Sequence, residues 1–126
     1  MNRLLTMLLY VEFAIEAPTG IALMFAPNWV SRLLFGTELI EAGVPAARVA
    51  GIALVNLVLC CWLANRQGGM RAALTALLAY NALIAAYLGW LGMQGETVGL
   101  LLWPATVVHF VAALLLAPGA SRNAHT

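Results

Sequence analysis

The sequence predicts an all-α integral membrane protein, an antiparallel four-helix bundle with a short interfacial helix between its first and second spans. Three observations carry that prediction. Of 126 residues, 63% are hydrophobic and 9% charged, and the mean hydropathy is +0.93, far outside the range of a soluble domain of this size. The apolar residues fall into four runs, at about 4–25, 46–64, 71–91 and 98–117, each near the roughly 20 residues that cross a hydrocarbon core about 30 Å thick. The runs lack the alternation of barrel strands, and in hydrocarbon each segment must satisfy its own backbone groups, which leaves the helix. Four crossings use up most of the chain, so residues 1–126 read as one transmembrane domain.

The first run follows Met1, Asn2 and Arg3, as a signal peptide would. It is too long for such a peptide's apolar region, carries Glu12 and Glu16, and has no convincing small-x-small cleavage site. Within it, Pro18 cannot donate to the carbonyl of Ala14 and Gly20 follows, so a kink beyond Glu16 is expected. The long connection 26–48 holds Trp29, Val30, Leu33, Leu34 and Phe35 at amphipathic-helix spacing, with Gly36 as a stop. It reads as a flap on the extracytoplasmic face.

The second run opens with Ala46, Ala47, Ala50, Gly51 and Ala53, small residues that allow close helix approach. The third carries a similar stripe of Ala72, Ala76, Ala79, Ala82, Ala86 and Gly89. Tyr87, Trp90 and Trp103 read as interfacial anchors. A tight turn at 92–99 leads to the fourth run, and a frayed tail with His125 follows Ala117.

All six basic residues are arginines. Arg3, Arg66, Arg71 and Arg122 fall on the side of the termini and Arg32 and Arg48 on the other, which favours cytoplasmic termini in a cell inner membrane. A net charge of +1 excludes the basic field that nucleic-acid binding requires. The adjacent Cys60 and Cys61 form no C-x-x-C pair and read as small apolar filler.

Against this background the polar residues within the spans stand out: Glu12, Glu16, Asn56, Asn81 and His109. Taking the span limits above and a rise of about 1.5 Å per residue, all five lie within roughly 4 Å of their helix midpoints. A charge at mid-bilayer costs several kcal/mol, so such groups face the bundle interior and find partners. One internal cluster, fed by all four spans, is therefore expected. Thr19, Tyr80 and Thr106 extend it, and Arg48 is placed to reach Glu16 or else to pair with Glu38 or Glu41.

Two carboxyls one helical turn apart in low dielectric cannot both ionise cheaply, so the pair reads as a means of holding a proton. His109 adds a second titrating group. The structural alternative is that these groups are interhelical glue, yet glutamine would serve that purpose without a charge to desolvate. A metal site would want a second histidine or a Glu-x-x-His pair in the spans, and a haem a C-x-x-C-H motif; neither is present. No metal and no cofactor are expected.

The segments "GIALMFAPNWVSRLLFG" and "ARVAGIALVNLVLCCWLAN", followed by two alanine-rich spans, resemble the small four-helix membrane proteins of the DoxX-like group. Pro27, the "LLFG" ending at Gly36 and the Arg48 to Gly51 start of the second span carry the likeness. It implies a compact antiparallel four-helix bundle and no single activity, since that group spans quinone-linked thiosulfate oxidation subunits and accessory proteins. The chemistry of glutamates, asparagine, histidine and tryptophans in a membrane bundle is similar to that of the emopamil-binding sterol isomerases, with different spacing and span count.

The resulting functional expectation is an intramembrane acid–base site acting on a lipophilic small molecule by isomerisation, cyclisation or epoxide opening. Glu12, Glu16 and His109 are its expected catalytic residues, and Asn56, Asn81, Tyr80, Thr106, Trp103 and Arg48 its expected substrate contacts. The competing expectation is a non-catalytic accessory subunit or assembly factor that meets itself or a membrane partner through its small-residue faces. Proton-coupled transport is a third, and requires an oligomer because one four-helix chain offers little alternating-access machinery.

Overall fold

In the computed structural model, which describes residues 3–121, the chain forms five helices in succession. They are α1 (Arg3–Phe25), α2 (Pro27–Phe35), α3 (Gly43–Arg66), α4 (Met70–Gln94) and α5 (Leu102–Ser121). All but α2 are long and apolar enough to cross a membrane. Met1, Asn2, Arg122 and His125 lie outside the described residues.

The long helices form an antiparallel four-helix bundle in which α4 packs most extensively on α5, and α1 on α3. The α1–α5 seam is much sparser. Burial differs from that of a soluble bundle. Glu12, Glu16 and Asn81 are 6%, 2% and 1% exposed, whereas Leu83, Phe110 and Leu114 lie mostly open on the outside. Lipid is the solvent that makes this arrangement favourable, because it accepts apolar side chains and rejects carboxyls.

Between α1 and α3 the contact is backbone on backbone. A Cβ added at Gly51 would lie 2.5 Å from the carbonyl oxygen of Gly20, and one added at Gly20 would lie 2.8 Å from the Val55 side chain. Of the small residues at the start of α3, Gly51 makes the close approach, while Ala46, Ala50 and Ala53 face outward. The stripe on α4 is likewise mostly unpartnered within the chain: Ala72, Ala79, Ala82 and Ala86 are exposed. An apolar cluster of Leu9, Cys61, Leu74, Leu77 and Leu116 fills the half of the bundle nearer the termini. Cys60 is exposed and both cysteines are free thiols.

The interfacial helix has the expected start and stop. Pro27 sits in its first turn, and Gly36 closes it at φ 72°, donating to the Arg32 carbonyl. Its last carbonyls find donors in an unexpected place. The amides of Gly99 and Leu101 donate to the carbonyls of Leu34 and Leu33 at 2.9 and 2.8 Å.

That contact corrects the start of the fourth span, which lies at Leu102 and not at residue 98. "VGLLLW" is apolar enough to be helical, but residues 100 and 101 form a turn that leads into α5, and the amides of Gly99 and Leu101 cap the end of α2. Gly99 is also pressed so closely on Leu33 that a side chain there would overlap the Leu33 carbonyl. The far end shifts too, because α5 runs through Pro118 to Ser121. Gly119 nests against Leu5 and Leu74, and Arg71 Nε donates to the Ala120 carbonyl at 3.3 Å. Tertiary contacts thus order a turn that proline alone marks as an end. Pro18, by contrast, lies inside the continuous α1.

Candidate functional site

The polar layer is assembled by α1, α4 and α5. Glu12 and Glu16, one turn apart on α1, point across the bundle to Tyr80 and Asn81 on α4 and His109 on α5. Asn81 is the hub. Its Nδ2 donates to Glu12 Oε2 at 2.7 Å and to the Leu77 carbonyl at 2.9 Å. Its Oδ1 lies 2.7 Å from His109 Nδ1. Tyr80 donates its hydroxyl to Glu16 Oε2 at 3.0 Å, and its ring meets the imidazole edge to face at 5.7 Å.

The hydrogens in this network follow from its partners. The Leu77 carbonyl can only accept, so the nitrogen of the Asn81 amide must face it, and its oxygen must face His109. An amide oxygen also only accepts, so His109 Nδ1 carries a hydrogen and donates. With one proton on the ring, Nε2 is then an acceptor. The imidazole is also 3.6 Å from Glu16 Oε1 through the same Nδ1, close enough for electrostatic attraction.

Five of the expected site residues therefore come together: Glu12, Glu16, Tyr80, Asn81 and His109. Four do not. Asn56 is exposed and returns its amide to the Ile52 carbonyl of its own helix at 2.9 Å. The rotation of α3 is set by Gly51, Leu54 and Cys61, which face inward. Asn56 lies five residues beyond Gly51, about 140° round the helix, and so faces away. Thr106 is likewise bonded within its helix, to Leu102, and Trp103 packs beside Gly92 on the outer side of the α4–α5 pair. Arg48 is exposed at the outer end of α3. Glu38, one of its expected partners, pairs with Arg32 instead.

Two open grooves lie on the lipid side of α4 and α5. One, of about 590 Å³, runs past Ala82, Ala86, Trp103, Thr106 and Phe110; the other, of about 640 Å³, lies near Thr75 and Pro118. Neither is lined by Glu12, Glu16, Asn81 or His109. Among the described residues, no group of three histidine, cysteine, aspartate or glutamate side chains is placed to hold a metal ion.

Two residues of structural consequence were not singled out from the sequence. Asn28 accepts the Leu39 amide at 3.1 Å, and buried Ser31 donates to the Thr37 carbonyl at 2.8 Å. Together they fold the 36–42 loop back over α2. A polar residue on the apolar side of an amphipathic helix was the available signal for Ser31.

Fold and network together define a class: a polytopic helical membrane protein with a buried carboxyl, amide, phenol and imidazole network. No family model, no curated protein and no solved structure matches the chain, so its function is argued from the chemistry of the network.

Proposed function

We propose that the network is an intramembrane acid–base site acting on a small lipophilic molecule. The observation that carries this reading is the burial at mid-span of two carboxyls, both tied by hydrogen bonds to other polar groups. One carboxyl delivers a proton, and the second carboxyl or His109 removes one. Isomerisation, cyclisation and epoxide opening need that exchange and no redox partner. Tyr80 and Asn81 hold the carboxyls in place. Arg3, Arg66 and Arg71 at the end of the bundle that carries the termini, against Arg32 and Arg48 at the other, support cytoplasmic termini in a cell inner membrane.

The test is a comparison of apolar extracts from membranes carrying the wild type, the Glu12→Gln variant or the Glu16→Gln variant. A lipophilic product present with the wild type and lost with either variant is the expected result. Indistinguishable extracts from folded protein would remove the enzyme reading.

A second reading is favoured by a different observation: the exposed alanines of α4 and the separation of both grooves from the network. Here the protein is an accessory subunit whose polar layer fixes helix register, and α4 meets a membrane partner. Ala82→Leu would then release a co-purifying protein and leave the bundle folded.

A further inference from the structure

The network's hydrogen-bond arithmetic points to the kind of molecule it takes. With both carboxyls ionised, four hydrogens are available from its side chains, and all four are committed: two from Asn81 Nδ2, one from the Tyr80 hydroxyl and one from His109 Nδ1. Three acceptors are then left with no hydrogen bond, Glu12 Oε1, Glu16 Oε1 and His109 Nε2, and the one proton that the acid–base reading puts on a carboxyl makes one of them a donor and leaves two open. None of the three is sealed, because among the described residues Asn65 Oδ1 is the one fully buried side-chain oxygen or nitrogen without a partner. Each therefore adjoins space that a water-sized group can enter. A layer intended only to hold helices together would match donors to acceptors, since an unmatched acceptor in low dielectric is costly.

We infer that the site binds a lipophilic molecule through a hydrogen-bond donor, an ammonium or hydroxyl group on an apolar body. Such a donor supplies what the open acceptors lack, and an ammonium also offsets the negative charge of an ionised carboxyl. The apolar body enters from the bilayer along the α1–α5 seam. On α1, Gly20 marks the flank turned to α3, and Ile15 lies on the opposite side of Glu12. Ile15 is 39% exposed, and Val108, next to His109, is 45% exposed. Apolar side chains thus border the polar atoms where helix packing is thinnest. This inference deepens the acid–base reading and rests on it for what happens after binding.

The experiment uses three probes with one apolar body: adamantane carrying an amine, a hydroxyl or a methoxy group. Binding is measured on the full chain in phosphatidylcholine vesicles, as saturable uptake above that of protein-free vesicles. The amine and the hydroxyl should bind saturably, and the methoxy compound, which accepts but cannot donate, about tenfold more weakly or worse. In the folded Glu12→Gln/Glu16→Gln double variant, amine binding should fall by about tenfold or more while hydroxyl binding persists, because glutamine keeps an acceptor oxygen and loses the charge. Val108→Trp, which adds bulk to the seam without touching the network, should lower binding of both donors.

Equal binding of all three probes would assign uptake to an apolar groove and overturn the proposal, as would no saturable binding of any. Binding is read here without turnover. Donor-selective binding in a protein whose membrane extracts show no product would therefore keep this inference and remove the enzyme.

Discussion

The two flanks of α1 are held by opposite means. Toward α3 it has no side chain at the point of closest approach, and two glycines bring the backbones together. Toward α5 the packing is sparse, and the helices are linked by Glu16, His109 and the Asn81 hub behind them. In lipid, apolar burial does not drive helices together, so each contact must rest on close packing or on hydrogen bonds. The α3 flank uses the first and is rigid because nothing in it can rotate away. The α5 flank uses the second, and its side chains retain hydrogen-bonding capacity for another molecule.

The sharpest way to break this contrast is Gly51→Val. Its side chain would have to displace the Gly20 backbone, and a loss of about 3 kcal/mol or more is expected. Unfolding by SDS in bicelles would measure it, and an unchanged midpoint would refute the crossing. Next comes Asn81→Leu, which leaves Glu12 and His109 without their shared partner. A loss of about 2 kcal/mol is expected by the same measurement, and near-neutrality would mean that the network carries no stability.

Tyr80→Phe removes a single hydrogen bond to Glu16, for which about 0.6 kcal/mol is the ordinary magnitude inside a membrane bundle. A double-mutant cycle with Glu16→Leu, which removes the acceptor, isolates that coupling, and a vanishing coupling energy would contradict the bond. The smallest effect is expected at Asn56→Leu, within about 0.5 kcal/mol, because the side chain bonds only its own helix. A large loss there would show that Asn56 has a partner outside the single chain.

The α3 flank was partly legible in the sequence and the α5 flank only in outline. Gly51 stood in a run of small residues, which marks close approach without saying which of them makes it. Depth put Glu12, Glu16, Asn81 and His109 in one layer, since residue count along a helix translates directly into height in a bilayer. Depth carries no rotation, however, and Asn56, at the same height, faces outward. Thr106 fails to join the site for the same reason, while Trp103, at the start of α5, lies at a different height.

What the sequence by itself determined was the class of fold, the number of long helices, the short helix with its glycine stop, and the height of the polar layer. These depend on local composition and on the thickness of a bilayer. Only the tertiary structure decided which faces turn inward, where the fourth span begins and ends, and which hydrogen each polar atom gives or receives. Those depend on neighbours distant in sequence. Leu33 and Leu34 hold the turn before α5 through the Gly99 and Leu101 amides, Leu5 and Leu74 order its end around Gly119, and the Leu77 carbonyl turns the Asn81 amide and so fixes the proton on His109.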